Sequence, residues 1–184
     1  GGRYSSDTVC VYCMDILADM KTHLSAIALW LLLATGCSMQ PVERAQPEAF
    51  YTQQVDWADC GAAVTVMMTQ FAGKPVTLSK AKVLASRNNW WWTTNVTAVL
   101  GKLGIPYTAS DNLSLLADGN NGMAVIIQYL PGMPATNHMV FLRGLNGGLI
   151  KVHDPSEGTY WMSVKTLESR RVKGFGLIVR KGAG

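Results

Sequence analysis

Charged residues are scarce in this sequence of 184 residues: Asp, Glu, Lys and Arg make up 15%, against 48% apolar residues. The net charge is only +4, and no run of Lys and Arg is longer than Arg170-Arg171, so we expect no nucleic-acid partner. The sequence also lacks internal repeats and low-complexity segments. An apolar content this high excludes a disordered chain, and the length allows one domain, or one domain with an appendage.

An apolar run near the N-terminus is too short to cross a bilayer. Residues 24–35 (LSAIALWLLLAT) follow a short basic start at residues 20–23, whereas a membrane-spanning helix needs about 20 apolar residues. The length is typical of a signal peptide. Small residues precede Cys37, and this pattern resembles a bacterial lipobox. The resemblance implies cleavage after Gly36 and a diacylglycerol on the Cys37 sulfur; the alternative is a buried core helix.

The polar residues that follow predict a flexible connection. Residues 37–53 contain two prolines and read as a tether between a lipid anchor and a domain. A lipid-anchored protein of this kind would lie in the bacterial cell envelope, outside the cytoplasm. Because Ser38 rather than Asp follows the cysteine, we expect the outer membrane if the source is Gram-negative. Residues 1–19 precede Met20 and are expected to lie upstream of the true start.

Cysteine is also scarce, with four in the chain. Cys10 and Cys13 form a lone CxxC, and a zinc site would need two further ligands. Beyond Cys37, the single remaining cysteine is Cys60, so an exported domain could not form an internal disulfide. The Cys60 thiol is therefore either part of the packing or a reactive nucleophile. The sequence predicts no metal site and no cofactor.

Hydrophobic periodicity divides the domain, residues 54–181, into two halves. Apolar residues at helical spacing predict helices at residues 59–71 and 79–87, and a third that Thr93 or Thr94 caps. The second half predicts short antiparallel strands and one helix: residues 123–130, 138–145, 149–152, 160–162 and 174–179, with a helix at 163–170. Helices followed by a meander of strands indicate an α+β domain with N-terminal helices packed on a C-terminal antiparallel sheet.

The start of the first predicted helix is a favourable place for a reactive thiol. Cys60 follows Asp59, which occupies the expected N-cap position. Unpaired N–H groups and the positive end of the helix dipole stabilise a thiolate there. A nucleophilic cysteine also needs a base, and that base needs an orienting group. We expect His138 to be the base and Asp154 the orienting group.

A hairpin with its turn at Asn146-Gly147 predicts that His138 and Asp154 lie close together. If Leu145 faces Gly148 across the turn, His138 faces the region of Asp154. The neighbouring His153 is a tempting base, but alternation turns it to the opposite face of its strand. We expect Gln54, six residues before Cys60, to donate to an oxyanion together with the backbone N–H of Cys60.

Three segments in order resemble the bacteriocin-processing peptidases that cleave after double-glycine leaders. The segments are Gln54-Val55-Asp56-Trp57-Ala58-Asp59-Cys60-Gly61, Asn137-His138-Met139-Val140-Phe141 and Asp154-Pro155-Ser156-Glu157-Gly158. The resemblance covers residues 54–180 and implies a papain-like fold and cysteine peptidase activity. It also implies that Cys60 is the nucleophile, His138 the general base, Asp154 its orienting group and Gln54 the oxyanion donor.

Two other functions stay open at this point. A non-catalytic, lipid-anchored domain of the same fold would bind peptides without cleaving them. A cell-wall amide hydrolase of the NlpC type also uses Cys and His, but usually carries a second histidine where this chain offers Asp154. We expect a monomer whose partners are a peptide or protein substrate and, through the anchor, a membrane. The three consecutive tryptophans at 90–92 could line a groove, the core or a partner surface.

Overall fold

The computed structural model describes residues 43–129 and 137–182 of the chain. The predicted signal segment, the predicted lipidation residue Cys37 and the Cys10–Cys13 pair lie outside this part. Within the two described ranges, no helix combines the length and the apolar character that crossing a membrane requires.

Three helices come first and begin close to the positions that the periodicity predicts. They are α1 (Cys60–Phe71), α2 (Leu78–Ala85) and α3 (Thr93–Lys102). The Thr77 side chain caps α2 by accepting a hydrogen bond from the Lys80 N–H at 3.2 Å. The cap of α3 differs from the expectation, because the N-cap position is Trp92 rather than a threonine. The Trp92 N–H donates to the side-chain oxygen of Asn95 at 2.9 Å.

The strands form one antiparallel sheet, which has seven members in the part of the chain that the structure describes. In chain order they are β1 (Glu43–Arg44), β2 (Tyr107–Ala109), β3 (Asn121–Gln128), β4 (Asn137–Asn146), β5 (Leu149–Asp154), β6 (Gly158–Ser163) and β7 (Leu177–Arg180). Across the sheet the order is β1-β6-β5-β4-β3-β7-β2. The periodicity predicted the five longer strands, whereas β1 and β2 are too short to show alternation.

The hairpin between β4 and β5 turns one residue later than predicted. Gly147 and Gly148 occupy the two turn positions with φ of 57° and 79°, and Asn146 pairs with Leu149. A two-residue turn with positive φ at both positions costs least when both are glycine. A bulge at Gly144 then changes the register by one residue, so that the offset from the predicted pairing falls from two residues to one.

Both faces of the sheet are covered by other elements. In β3, Ala124 and Ile126 pack with the three N-terminal helices, whereas Val125 and Ile127 pack into the opposite layer. That layer includes α4 (Val164–Arg170), which contributes the buried Leu167, and a short 3-10 turn. Alternation along each strand therefore decides on which side of the sheet a functional side chain lies.

Residues 43–54, which we call the strap, are packed against the domain. Glu43 and Arg44 pair with β6, and the Phe50 ring contacts the Phe141 ring edge-on with centroids 5.6 Å apart. The tether prediction is therefore wrong for residues 43–53. Composition suggested a polar connection because most of its residues are polar, but the two aromatic residues Phe50 and Tyr51 attach it to the core.

The close contact between α1 and the tryptophan segment predicts a large effect at Gly61. A Cβ there would lie 2.3 Å from the Trp91 Cβ, so Gly61→Ala should lower the free energy of unfolding. Overpacking of this kind costs about 1–3 kcal/mol, which denaturant unfolding would measure. The control is Gly101→Ala on α3, where a Cβ meets nothing within 4 Å; it should raise stability by about 0.5–1 kcal/mol. Similar effects in both variants would contradict the close contact between Gly61 and Trp91.

Candidate active site

The candidate site begins at the first residue of α1. Cys60 is a free, partly buried cysteine, and Asp59 precedes it at the N-cap position. The sequence predicted that the Asp59 side chain caps the helix, but it makes no capping hydrogen bond. Its buried carboxylate instead forms an ion pair with Lys82 of α2, at 2.7 Å. The pair joins the start of α1 to α2, and it leaves the first N–H groups of α1 without a side-chain cap from Asp59.

Neighbouring strands bring His138 and Asp154 together. His138 lies at the start of β4 and Asp154 at the end of β5, and the two strands pair in antiparallel orientation. The His138 Nε2 atom lies 2.8 Å from Asp154 Oδ1. Because Asp154 occupies Nε2, the ring nitrogen available to the Cys60 thiol is Nδ1.

The Cys60 thiol and the His138 ring shift each other's protonation. Burial raises the pKa of Cys60, but a hydrogen bond from His138, its charge, and the backbone groups of Met139 and Gly61 bring that pKa below its ordinary value. Burial lowers the pKa of His138, but hydrogen bonds to Asp154 and Cys60 raise it to about 9. The two shifts favour a thiolate beside an imidazolium at neutral pH.

Asp154 is fully buried and receives several hydrogen bonds. The Ser156 N–H and hydroxyl donate to Oδ1 at 2.9 and 2.8 Å, and the Glu157 N–H donates to it at 3.1 Å. The hydroxyls of Tyr129 and Tyr160 each lie 3.3 Å from Oδ2. Burial raises the pKa of Asp154, but the bond to His138 and those from Ser156 hold that pKa below its ordinary value.

The second histidine of the domain lies on the other face of β5, as alternation predicts. His153 is fully buried against Phe50, with ring centroids 4.9 Å apart, and its Nδ1 lies 3.1 Å from the Thr159 hydroxyl. Burial lowers the pKa of His153, although Glu48 opposes this effect. The position that would orient the His138 ring is thus occupied by the Asp154 carboxylate and not by a second histidine.

The strap carries Gln54 to the end of β5. The Tyr51 hydroxyl donates to the Asp154 carbonyl at 3.0 Å, and the Gln54 N–H donates to the Pro155 carbonyl at 3.0 Å. The Gln54 Oε1 atom is buried, and no hydrogen-bond donor reaches it from the described residues. The role of Gln54 as an oxyanion donor stays a prediction, but its backbone is held next to the His138–Asp154 pair.

A groove of about 310 Å³ contains both Cys60 and His138 in its wall. The other lining residues in the described part of the chain are uncharged: Trp57, Ala58, Trp90, Trp91, Trp92, Ile126, Tyr129, Asn137 and Met139. The structure decides the question that the three tryptophans posed. Trp91 is buried in the core, whereas Trp90 and Trp92 are 57% and 51% exposed at the groove. Trp90 has a positive φ of 58°, and its ring contacts Trp57 edge-on at 4.5 Å.

Sequence reasoning missed the two tyrosines at Asp154. Tyr160 lies within the predicted third strand, and Tyr129 within the predicted run 123–130, but neither position carried a chemical signal of its own. The strand register Ile127 to His138 could have placed Tyr129 diagonally from His138. The described residues include no cluster of His, Cys, Asp or Glu that could hold a metal ion.

This architecture is a papain-like α+β fold, and solved peptidase domains share it. The peptidase domain of Streptococcus ComA, a bi-functional ABC transporter involved in a quorum sensing pathway, has a TM-score of 0.59 and 18% identity over 72% of this chain and 97% of that chain. A double glycine motif protease from an AMS/PCAT transporter, in complex with the leader peptide, has a TM-score of 0.55 and 20% identity over 77% and 95%. A C39-like peptidase from Bacillus anthracis has a TM-score of 0.59 and 13% identity over 73% and 94%.

Comparison of sequences alone does not detect a similarity to these proteins. No family model matches the chain, and no curated protein is significantly similar to it. At identities of 13–20% the structural likeness shows a shared fold.

The paired pKa shifts predict how fast Cys60 is alkylated at each pH. An ordinary thiol has a pKa of about 8.5. In wild-type protein, iodoacetamide should react rapidly with Cys60 well below that pH. The His138→Ala variant loses the hydrogen bond and the charge, while burial remains, so its reaction should require a higher pH than that of an ordinary thiol. His153→Gln, on the other face of β5, is the matched control and should keep the wild-type profile. An unchanged profile in His138→Ala would contradict the thiolate–imidazolium pair.

Proposed function

We propose that the domain is a cysteine peptidase in which Cys60, His138 and Asp154 form the catalytic triad. The observation that carries this proposal is the contact of 2.8 Å between His138 Nε2 and the buried Asp154 carboxylate, with the other side of the ring facing Cys60. A purely structural role would not require the buried Asp154 carboxylate to hold the His138 ring beside a thiol, Cys60, whose pKa is lowered. Such perturbed groups in the wall of a groove indicate a reactive site.

In the proposed acylation step, the Cys60 thiolate attacks the carbonyl carbon of the scissile peptide bond. The oxygen that becomes negative receives hydrogen bonds from the Cys60 N–H at the start of α1 and from the Gln54 amide. The His138 imidazolium then gives its proton to the leaving nitrogen, so the C–N bond breaks and a thioester remains. Asp154 holds the ring orientation and stabilises its charge.

Hydrolysis of the thioester completes the cycle. His138, now neutral, removes a proton from a water molecule, which attacks the thioester carbonyl carbon. The same donors stabilise the second oxyanion, and its collapse breaks the C–S bond. The peptide acid leaves, and the thiolate–imidazolium pair is restored.

The substrate we propose is an exported peptide or protein, cleaved after a leader of the double-glycine type. The groove supports a peptide with small or apolar residues near the scissile bond, because the described residues of its wall offer aromatic rings and no lysine, arginine or carboxylate. The AMS/PCAT protease of the same fold binds a leader peptide. For this chain the leader remains a proposal that cleavage must test.

The decisive experiment incubates the protein with synthetic peptides that place a Gly-Gly pair after an apolar segment, and identifies products by mass spectrometry. Wild-type protein should cleave after the glycine pair, and Cys60→Ala should abolish cleavage because the nucleophile is gone. Rapid alkylation of Cys60 without cleavage of these peptides or of an unbiased peptide mixture would favour the peptide-binding alternative.

A second arm of the same assay addresses the oxyanion donor. Gln54→Ala should lower kcat by about 10²–10³-fold, as loss of one oxyanion donor does in other enzymes. Gln53→Ala, which truncates the exposed neighbouring amide, is the control and should stay near wild type. Equal losses of kcat in the two variants would show that the integrity of the strap, and not the Gln54 amide, determines the rate of cleavage.

We also propose that the domain is attached to the cell envelope through a lipid on Cys37. The support is the lipobox-like sequence before Cys37 and the short apolar run of residues 24–35. Several acyl chains on one cysteine give stable membrane attachment, whereas a single chain gives marginal binding. Cys37→Ser should move the protein from the membrane to the soluble fraction while Cys60 alkylation stays unchanged. Wild-type protein in the soluble fraction would contradict the anchor.

A further inference from the structure

One aromatic ring outside the triad covers the His138 ring. Tyr129 follows the last residue of β3, and the register pairs Ile127 with His138, so Tyr129 lies diagonally across from the histidine. The two rings are stacked, with centroids 5.1 Å apart and planes inclined by 25°. This is the offset stacked geometry that aromatic pairs prefer. The π-face of a tyrosine also attracts a cation within about 6 Å of the ring centroid.

The Tyr129 hydroxyl reaches the group that orients the same histidine. It lies 3.3 Å from Asp154 Oδ2 and 3.0 Å from the Ser156 hydroxyl. The Ser156 hydroxyl has one proton, and it donates to Asp154 Oδ1. The Tyr129 proton is therefore directed to Asp154 Oδ2 or to the Ser156 oxygen. Burial, followed by the Asp154 charge, raises the pKa of Tyr129, so the hydroxyl keeps this proton.

We propose that Tyr129 is a positioning residue of this site, which holds the His138 imidazolium in the plane that joins Cys60 to Asp154. The inference rests on the proposed function. A hydrogen bond at Nε2 fixes one corner of the ring, but the ring can still tilt about that contact. Contact of the Tyr129 ring with the face of the imidazole restrains this tilt.

The surroundings of His138 assign this task to one residue. The titratable groups that face the His138 ring or Asp154 are Cys60 from α1, Tyr160 from β6 and Tyr129 itself, and the Glu157 carboxylate acts on Tyr129 through its charge. Tyr160 donates to the same Oδ2 atom at the same 3.3 Å. Among the ring contacts of the described residues, only Tyr129 stacks on His138. Tyr160 therefore shares the hydroxyl contact of Tyr129 and lacks the stacking, which makes it a matched control.

The test measures the rate of Cys60 alkylation by iodoacetamide against pH, on the full chain. Tyr129→Met keeps an apolar side chain and removes the aromatic face, so the His138 contact with the thiol should weaken. The rise of the rate with pH should then shift upward by about one unit, which lowers the rate near its acid end by about tenfold. Tyr129→Phe keeps the face, and Tyr160→Phe removes the equivalent hydroxyl bond, so these two should resemble each other and shift much less.

Three outcomes would overturn the inference. The first is a profile of folded Tyr129→Met that superimposes on wild type. The second is a shift in Tyr160→Phe as large as that in Tyr129→Met, and the third is a Tyr129→Phe profile like that of Tyr129→Met. Circular dichroism checks the fold of each variant, and Tyr129→Leu replaces the Met variant if that one unfolds. Tyr129 is 38% exposed, so the site tolerates a change of shape.

Failure of the proposed function looks different in the same assay. If wild-type Cys60 reacts only at the pH of an ordinary thiol, the thiolate–imidazolium pair is absent and the peptidase proposal falls. If wild type reacts at low pH and cleaves peptides, and Tyr129→Met behaves like wild type, the peptidase proposal stands and only the role of Tyr129 is wrong.

Discussion

The hydrogen bond between the buried Asp154 carboxylate and His138 is the contact on which the rest of the candidate site depends. A carboxylate without solvent stays ionised only when donors surround it, and this one receives them from His138, Ser156, Glu157 and Tyr160. Hydrogen bonds to Asp154 and to Cys60 raise the pKa of the His138 ring against the effect of burial, and His138 in turn lowers the pKa of the Cys60 thiol. The buried carboxylate and the thiol therefore both favour the protonated form of the ring that lies between them.

The end of β5 also binds the strap. The N-terminal segment of the domain therefore has a structural role next to the candidate site. Tyr51 and Gln54 bond to the backbone carbonyls of Asp154 and Pro155. Earlier in the strap, Glu48 Oε1 lies 3.5 Å from His153 Nε2, and this contact lowers the pKa of Glu48 to about 2 against the effect of burial; Arg143 and Lys151 add to this. The carboxylate of Glu48 therefore stays charged and attached to β4 and β5. Residues that composition assigns to a tether thereby determine where Gln54 lies.

The hairpin register shows how a sequence prediction can reach the right contact through a wrong detail. The prediction centred the turn on Asn146-Gly147, whereas the turn lies at Gly147-Gly148. The bulge at Gly144 then recovers one of the two register steps. By extension of the Phe141–His153 pair, Asp154 lies opposite Val140, two residues along β4 from His138 and on the same face, so the histidine ring reaches the carboxylate diagonally. A bulge leaves little trace in periodicity, because it is defined by two strands and not by one.

Local chemistry in the sequence determined the elements and the candidate triad: helical spacing predicted α1, the Asn146-Gly147 pair predicted the hairpin, and the scarcity of cysteine and histidine left few candidates for the nucleophile and base. Tertiary structure decided what depends on packing between distant segments. It turned Trp91 into the core and left Trp90 and Trp92 at the groove, and it placed Tyr129 over His138. These outcomes depend on the way in which helices and strands cover one another. A single segment of sequence does not contain that information.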